Sequence, residues 1–231
     1  MEEMLNMGAR VLDGGCGPGA WLLEMATNYP DSHFFGVDIE SNYPSQIKPR
    51  NLNFYQCDLL QLEKLGFEEN SFDMVRMSFM RFSLGEKNYA KIVEKMLKLL
   101  KPGGYFEISE TNPAFPDIGP NTARLIKTFL MSQNADPNLN FEKIFLATEQ
   151  LINIQQNTWV TKLGPSGGFA GELYLSLLEE FYNDSIAELL SALMGMTLNE
   201  YKQFWQQCKT EIIELETKVP LEKIWGQKND I

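Results

Sequence analysis

The first half of the chain alternates short apolar runs with segments whose apolar residues recur at helical spacing. Four runs read as strands, namely RVLDGG (10–15), HFFGVDIE (33–40), FDMVRMSF (72–79) and YFEISE (105–110). A further strand is predicted within LNFYQCDLLQL (52–62), where apolar positions alternate through Phe54 and Tyr55. Between them, AWLLEMATNYP and EKNYAKIVEKMLKLL are typical of helices, which Pro30 and the Pro102-Gly103-Gly104 turn end. This alternation predicts a parallel, doubly wound sheet with helices on both faces.

After Glu110 the pattern becomes mostly helical. Helices are predicted over 121–134, over 141–154 and over 171–195, the last with a break near Asn183-Asp184. A capping box, TLNE (197–200), opens a further helix that runs to about 216, because Thr197 and Glu200 can satisfy each other's free backbone amides. NTWVTKLG (157–164) and VPLEKIWG (219–226) read as the last two strands.

The fold class predicted from these elements is α/β, a Rossmann-like doubly wound sheet of seven strands with helical insertions in the second half. No linker rich in proline, glycine and serine divides the halves. We therefore expect one domain over residues 1–231. Residues 1–112 form its ligand-binding half, and residues 113–231 form the helical elaboration with the last two strands.

Composition and charge narrow the classes of function. The net charge of −11 and the pI of about 4.7 disfavour a nucleic-acid or anionic-membrane binder, which needs a basic face. No apolar run is long enough to span a membrane, and the first residues do not have the pattern of a secretory signal. Three scattered cysteines form neither a disulfide framework nor a zinc pattern, so we expect a cytoplasmic or nuclear protein that binds no metal.

The candidate chemistry lies in VLDGGCGPGAW (11–21), a glycine-rich turn between a strand and a helix, with Asp13 in front of it. Taken alone, such a turn is either a ligand loop or a tight turn that needs positive φ. It is followed by Asp38 at the end of the second strand, where a carboxylate can accept hydrogen bonds from ribose hydroxyls. Asp58 ends the third strand beside Leu59, a pairing that suits an adenine amine and ring. The alternative for Asp38 is a helix cap or a loop acid.

This series of motifs resembles the class I S-adenosylmethionine-dependent methyltransferases. The resemblance covers roughly residues 9–112 and is carried by VLDGGCGPGAW, GVDIE, YQCDLL, SFDMVRMSFMRF and MLKLLKPGGYFEISE, in that order. It implies that S-adenosylmethionine is the cofactor and S-adenosylhomocysteine the product. Asp13, Gly14, Gly15, Cys16 and Gly17 would then line the methionine end.

The same resemblance implies roles for residues on three further strands. Asp38 and Ile39 would hold the ribose, and Asp58 and Leu59 the adenine. The backbone at Arg76 or Met77 would lie near the sulfonium. A narrower similarity to fungal methyltransferases of the secondary-metabolism-regulator type is carried by FDMVRMSFMRF, SNYPSQIKPRNLNF, EYKQFWQQCKTEI and VPLEKIWGQK.

The expected activity is methyl transfer to a small-molecule acceptor, with a protein acceptor as an alternative. Methyl transfer can proceed by proximity and desolvation alone, and the sequence identifies no catalytic residue. His33, the one histidine, is expected at the edge away from the cleft. Glu110 and Thr111 end the fifth strand and could face a substrate, although Glu110 could equally cap a loop. Met80 reads as packing.

The sequence leaves two other classes of function open. Family members are expected to carry N-terminal helices over the cofactor, whereas only MEEMLNMGA precedes the loop here. The chain could therefore be a non-catalytic, cofactor-binding regulatory or interaction protein. A nicotinamide-dependent oxidoreductase is the third class, which the glycine spacing disfavours because the third glycine comes one residue early.

Overall fold

A computed structural model of the protein describes residues 2–113, 115–133 and 139–230, and in this part of the chain seven strands form one sheet. The strands are β1 (Arg10–Gly14), β2 (His33–Asp38), β3 (Leu52–Gln56), β4 (Phe72–Ser78), β5 (Leu100–Thr111), β6 (Leu151–Lys162) and β7 (Lys218–Lys228). Their order is β3-β2-β1-β4-β5-β7-β6, and β1 to β5 pair in parallel. The predicted seven-stranded, doubly wound fold is therefore confirmed.

The strand order reverses between β1 and β4, which places the loops that follow these two strands side by side. In doubly wound sheets, ligands bind at such a switch point, outside the carboxyl ends of the strands. The glycine-rich turn follows β1, and Phe79 to Arg81 follow β4. The fold thus brings both segments to the expected place of a ligand site.

Eight α-helices are described in these ranges. They are α1 (Glu2–Asn6), α2 (Ala20–Asn28), α3 (Glu86–Leu99), α4 (Pro120–Ser132), α5 (Phe141–Ala147), α6 (Gly168–Glu179), α7 (Ala187–Met194) and α8 (Leu198–Glu214). A 3₁₀ helix over Leu59–Leu65 follows β3, a short one over Pro165–Gly167 precedes α6, and a π-helical segment over Glu180–Ser185 follows α6. None of the helices in the described ranges has the length and apolar character needed to cross a membrane.

The chain divides into two compact units. The first comprises Met1–Glu110, Leu139–Asn157 and Lys223–Ile231, and the second comprises Thr111–Asn138 and Thr158–Glu222. The glycine-rich turn and all the predicted cofactor residues belong to the first unit. That the whole chain is one domain, divided near residue 112 into two functional halves, stays a prediction.

Alternation along the strands sends side chains to two separate cores in the first unit. Leu12 and Val75 belong to a cluster that packs with α3, whereas Val11 and Met74 belong to a second cluster that packs with α2. Successive side chains of a strand point to opposite faces, so α3 packs on one face of the central strands and α2 on the other. Asp13, two residues after Val11, consequently points to the α2 face.

The second half confirms some predicted elements and corrects one. The π-helical segment lies at the predicted break near Asn183, and the Thr197–Glu200 capping box is present with both of its hydrogen bonds. The helix predicted over 141–154 ends at Ala147 instead, and Leu151 already begins β6. Glu149 has φ 54°, a left-handed conformation that interrupts a helix. In the helix predicted over 121–134, Asn134 lies outside the described residues.

Candidate functional site

The loop after β1 is held by hydrogen bonds to the end of β2. The amides of Gly15 and Cys16 both donate to the carbonyl oxygen of Val37, at 2.8 and 3.1 Å. The amide of Gly17 donates to Oδ2 of Asp38 at 2.8 Å. These bonds tie the predicted methionine-end loop to the predicted ribose carboxylate at neighbouring strand ends.

Three glycines of this loop adopt a left-handed backbone, but they differ in what lies beside them. The φ angles of Gly15, Gly17 and Gly19 are 75°, 52° and 77°. A Cβ at Gly15 would overlap the sulfur of Met80, and one at Gly19 would overlap the ring of Phe54. A Cβ at Gly17 would find no atom within 4 Å. The bare backbone that a ligand can approach is therefore at Gly17.

Gly14 and Cys16 are small residues of the loop with different surroundings. A Cβ at Gly14 would lie 3.1 Å from the methyl carbon of Met96 and 3.4 Å from Cδ1 of Leu59. Cys16 is half-buried, and burial raises the pKa of its thiol. A thiol with a raised pKa is neutral near pH 7 and is a poor nucleophile. Cys16 therefore serves the loop as a small residue.

A row of charged side chains crosses the central strands beside the loop. Asp13 on β1 lies in register with Arg76 on β4, which lies in register with Glu107 on β5. Nη1 of Arg76 is 3.3 Å from both carboxylate oxygens of Asp13, and its Nε is 3.7 Å from Oε1 of Glu107. On β7, Nζ of Lys223 lies 2.9 Å from Oε2 of Glu107. The row alternates in sign, so it carries no net charge.

The guanidinium of Arg76 also stacks on an aromatic ring. Its central carbon lies 3.9 Å from the centre of the Trp21 ring at the start of α2. Burial raises the pKa of Asp13 to about 6, although the neighbouring Arg76 lowers it. Arg76 thus occupies the carboxylate of Asp13, which the resemblance places at the methionine end of the cofactor. The cofactor roles of Asp13 and Arg76 stay predictions.

The ribose assignment falls on two residues with different exposure. Asp38 ends β2, and its Oδ1 accepts the amide of Glu40 at 3.0 Å. The next residue, Ile39, is 63% exposed. Tyr43, in the loop that follows, stacks on Phe54 with the ring centres 4.5 Å apart. Asp38 is therefore held in position by backbone amides, and its ribose role stays a prediction.

The adenine assignment falls on residues at the start of the 3₁₀ helix. Asp58 caps this helix, since its Oδ1 accepts the amide of Leu60 at 2.8 Å. Leu59 is buried and lies next to Gly14 at the end of β1. The structure therefore brings an acid and an aliphatic side chain close to the glycine loop. Their contact with an adenine stays a prediction.

The remaining candidates lie on β4 and β2. Met77 is completely buried and belongs to the core that packs with α3, so its side chain serves packing, and its backbone is what could face a ligand. His33 is the exposed first residue of β2 and pairs in register with Arg10. It lies at the amino ends of the strands, away from the loop, as expected.

Several residues beside the site were not singled out by sequence. Glu107, Lys223 and Tyr89 are among them, and the sequence alone does not decide between two roles for Glu110. The sequence does contain one signal for them, which is the pair of acids, Glu107 and Glu110, inside the apolar run YFEISE. A charge in a buried strand needs a partner, so these acids indicate partner residues nearby. The sequence could not show that partners come from β4, α3 and β7.

The chain is similar to known methyltransferases in sequence and in fold. Residues 11–104 match a family described as a methyltransferase domain. A methyltransferase of Strobilurus tenacellus is 26% identical over 199 residues, covering 81% of this chain and 70% of that protein. A secondary metabolism regulator of Aspergillus fumigatus is 34% identical over 99 residues, covering 42% of this chain and 25% of that protein.

A solved structure shows the same fold. Phosphoethanolamine N-methyltransferase 2 of Haemonchus contortus, in complex with S-adenosyl-L-methionine, superposes with a TM-score of 0.59 and 21% identity. The match covers 96% of this chain and 49% of that protein. The chain thus spans about half of this enzyme and a quarter of the Aspergillus regulator.

Proposed function

We propose that this chain is a class I S-adenosylmethionine-dependent methyltransferase, and that it transfers the cofactor's methyl group to a small-molecule acceptor. One observation carries the proposal. The amide of Gly17, the loop glycine that faces open space, is hydrogen-bonded to the carboxylate of Asp38. The two residues that the family pattern assigns to the methionine end and the ribose therefore form one local structure.

The residues at this place fit the cofactor. Open backbone at Gly17 suits a methionine portion that lies along the chain, and Asp38 offers a carboxylate at the end of the adjacent strand. Asp58 and Leu59 offer an acceptor and an apolar surface for an adenine. When bound, S-adenosylmethionine supplies a methyl group on an electron-poor sulfonium, and S-adenosylhomocysteine remains.

The chain itself holds the loop in place, aligns the cofactor and excludes water from the site. The charged row around Arg76 fixes the end of β1, from which the loop departs. Apolar side chains of Leu59 and Met80 lie against Gly14 and Gly15 and exclude water from that side of the loop. Displacement at a methyl carbon needs alignment and desolvation rather than an obligatory acid or base. No catalytic residue is assigned.

The choice of a small acceptor rests on charge. A net charge of −11 disfavours nucleic acid and anionic membranes as partners. The chain is also proposed to work in the cytoplasm, with the nucleus as the alternative. Support comes from Cys16, Cys57 and Cys208, which are free thiols, as expected in a reducing compartment.

Calorimetry with S-adenosylmethionine and with S-adenosylhomocysteine tests the cofactor part. We expect micromolar binding, about −8 kcal/mol. Asp38→Ala should weaken binding about tenfold or more, since each lost charge-assisted hydrogen bond costs about 1.5–3 kcal/mol. Asp31→Ala, a change at an exposed acid of the same unit, is the matched control and should bind like the wild type. Absence of binding by folded wild type would overturn the proposed function, and unchanged binding by Asp38→Ala would overturn the ribose assignment.

Product release tests the acceptor part. Purified protein and S-adenosylmethionine are incubated with small-molecule, protein and RNA fractions of a cell extract, and S-adenosylhomocysteine is measured. We expect product with the small-molecule fraction. Product with the protein fraction alone would replace the proposed acceptor class. Cofactor binding without product in any fraction would favour a non-catalytic, cofactor-binding protein.

A further inference from the structure

Glu110, next to the last residue of β5, is a fully buried carboxylate that holds the segment after β4. Its Oε1 accepts the amide of Met80 at 2.7 Å, the amide of Arg81 at 3.1 Å and the hydroxyl of Tyr89 at 3.0 Å. One oxygen atom therefore fixes two successive backbone amides and ties them to α3.

The segment held in this way begins with an unfavourable backbone conformation. Phe79 has φ 57°, and its amide donates to the carbonyl oxygen of Ser109 at 3.0 Å. A bulky residue in the left-handed region is strained and persists only where its surroundings enforce it. The bonds from β5, to Ser109 and to Glu110, are what enforce it here.

The consequence of this turn is the place of the Met80 side chain. Its sulfur packs on the backbone of Gly15, where a Cβ would overlap it, and its side chain also packs against the core that contains α3. Two residues further along the loop, Gly17 faces open space. Met80 therefore forms the closed side of the loop whose open side is Gly17.

We propose that Glu110 is a positioning residue for the cofactor site, which acts by fixing Met80 as the wall beside the methionine end. This inference rests on the proposed function. Glu110 acts through the backbone of the segment after β4, whose amides at Met80 and Arg81 it accepts. A preformed wall raises affinity because binding need not order it.

The charge of Glu110 predicts a pH dependence of cofactor affinity, which a purely structural role of this residue would not produce. Burial raises the pKa of Glu110 to about 7, and the titratable or charged groups that face it are Tyr89 on α3 and Arg81 on the segment itself. Its Oε2 is buried and has no hydrogen-bond partner among the described residues, so it can carry the proton. The ionised carboxylate is the stronger acceptor for the two amides. Cofactor affinity should therefore rise as the pH passes upward through about 7.

The test measures the dissociation constant of S-adenosylhomocysteine by calorimetry between pH 6 and pH 8.5. For Glu110→Ala we expect binding about tenfold weaker than wild type, and the same for Met80→Ala. Because both changes remove one wall, the double variant should be no more than slightly weaker than either single variant. Glu110→Gln keeps an acceptor oxygen but no charge. It should bind like the wild type at pH 6 and lack the increase above pH 7.

Glu211→Gln is the matched control, since Glu211 also accepts two backbone amides, those of Asn121 and Thr122, but in the second unit. It should keep the wild-type pH profile. If Glu110→Ala does not fold, Glu110→Gln and Tyr89→Phe carry the test. Tyr89→Phe removes one of the three donors and should weaken binding by a smaller factor than Met80→Ala does.

If the wild type binds S-adenosylhomocysteine, the proposed function stands and two results would overturn this inference. One is additive losses of affinity in the double variant. The other is a pH profile of Glu110→Gln that still follows that of the wild type. Failure of the wild type to bind would overturn the proposed function itself, and this inference with it.

Discussion

Nη1 of Arg76 lies 3.3 Å from each carboxylate oxygen of Asp13, and these two residues stand opposite each other on β4 and β1. Both side chains are buried. Sixty-three positions separate them in the chain, and the register of two parallel strands joins them. The contact ties the residue in front of the glycine loop to the middle of the sheet, so the loop departs from a fixed strand end.

Arg76→Met is expected to destabilise the protein strongly. The change leaves Asp13 and Glu107 as two buried acids without their shared cation, and breaking a buried ion pair on one side costs about 3–5 kcal/mol. Urea unfolding at pH 7 measures the loss. Arg124→Met removes an exposed cation that lies over the Phe204 ring, and it should cost far less. Equal losses for the two variants would contradict the role of the buried row.

Glu110 makes stability fall as the pH rises. Its folded pKa of about 7 lies above its ordinary value of 4.5, so its contribution is complete below pH 4.5 and is lost as the pH rises through about 7. The loss is about 3 kcal/mol, because each pKa unit corresponds to 1.36 kcal/mol. Urea unfolding from pH 4.5 to pH 8.5 measures it in wild type and in Glu110→Gln. The variant should lose less stability over this range, and parallel curves would contradict the prediction. The charge that is expected to strengthen cofactor binding thus weakens the fold.

Gly15 and Gly17 should respond differently to alanine. Gly17→Ala places a methyl group in open space, so its cost is limited to the left-handed backbone, about 1–2 kcal/mol. Gly15→Ala adds an overlap with the sulfur of Met80 and should cost more. Thermal unfolding compares the two. The double variant with Gly15→Ala and Met80→Ala should recover part of the loss, and no recovery would show that Met80 is not the obstacle.

The capping box of α8 is expected to stabilise its unit by about 1 kcal/mol. Oγ1 of Thr197 accepts the amide of Glu200, whose carboxylate accepts the amide of Thr197. Thr197→Ala should lower the free energy of unfolding by this amount. The matched control is Thr210→Ala in the same helix. The Thr210 hydroxyl donates to the carbonyl oxygen of Gln206, so this substitution removes no cap. An equal loss in the control would assign the effect to threonine rather than to the cap.

Local patterns were sufficient for most of the elements and failed at one. Helical periodicity located α3, and the TLNE box located the start of α8, because both signals arise among residues within a few positions of each other. The helix prediction was wrong for the stretch LINI (151–154), because apolar residues at Leu151, Ile152 and Ile154 suit either a helix or a strand. Pairing in the sheet decided for β6, and pairing is not a local property.

By itself the sequence determined the order of strands and helices, the glycine loop and the acids at the ends of β2 and β3. Only the tertiary structure decided which of these groups are free for a ligand. Asp13 is engaged by Arg76, Gly15 is covered by Met80, and Gly17 is open. The wall formed by Met80 depends on Glu110, thirty positions away. The reason is physical: backbone propensity acts between neighbours, whereas burial and charge pairing depend on residues that only the sheet brings together.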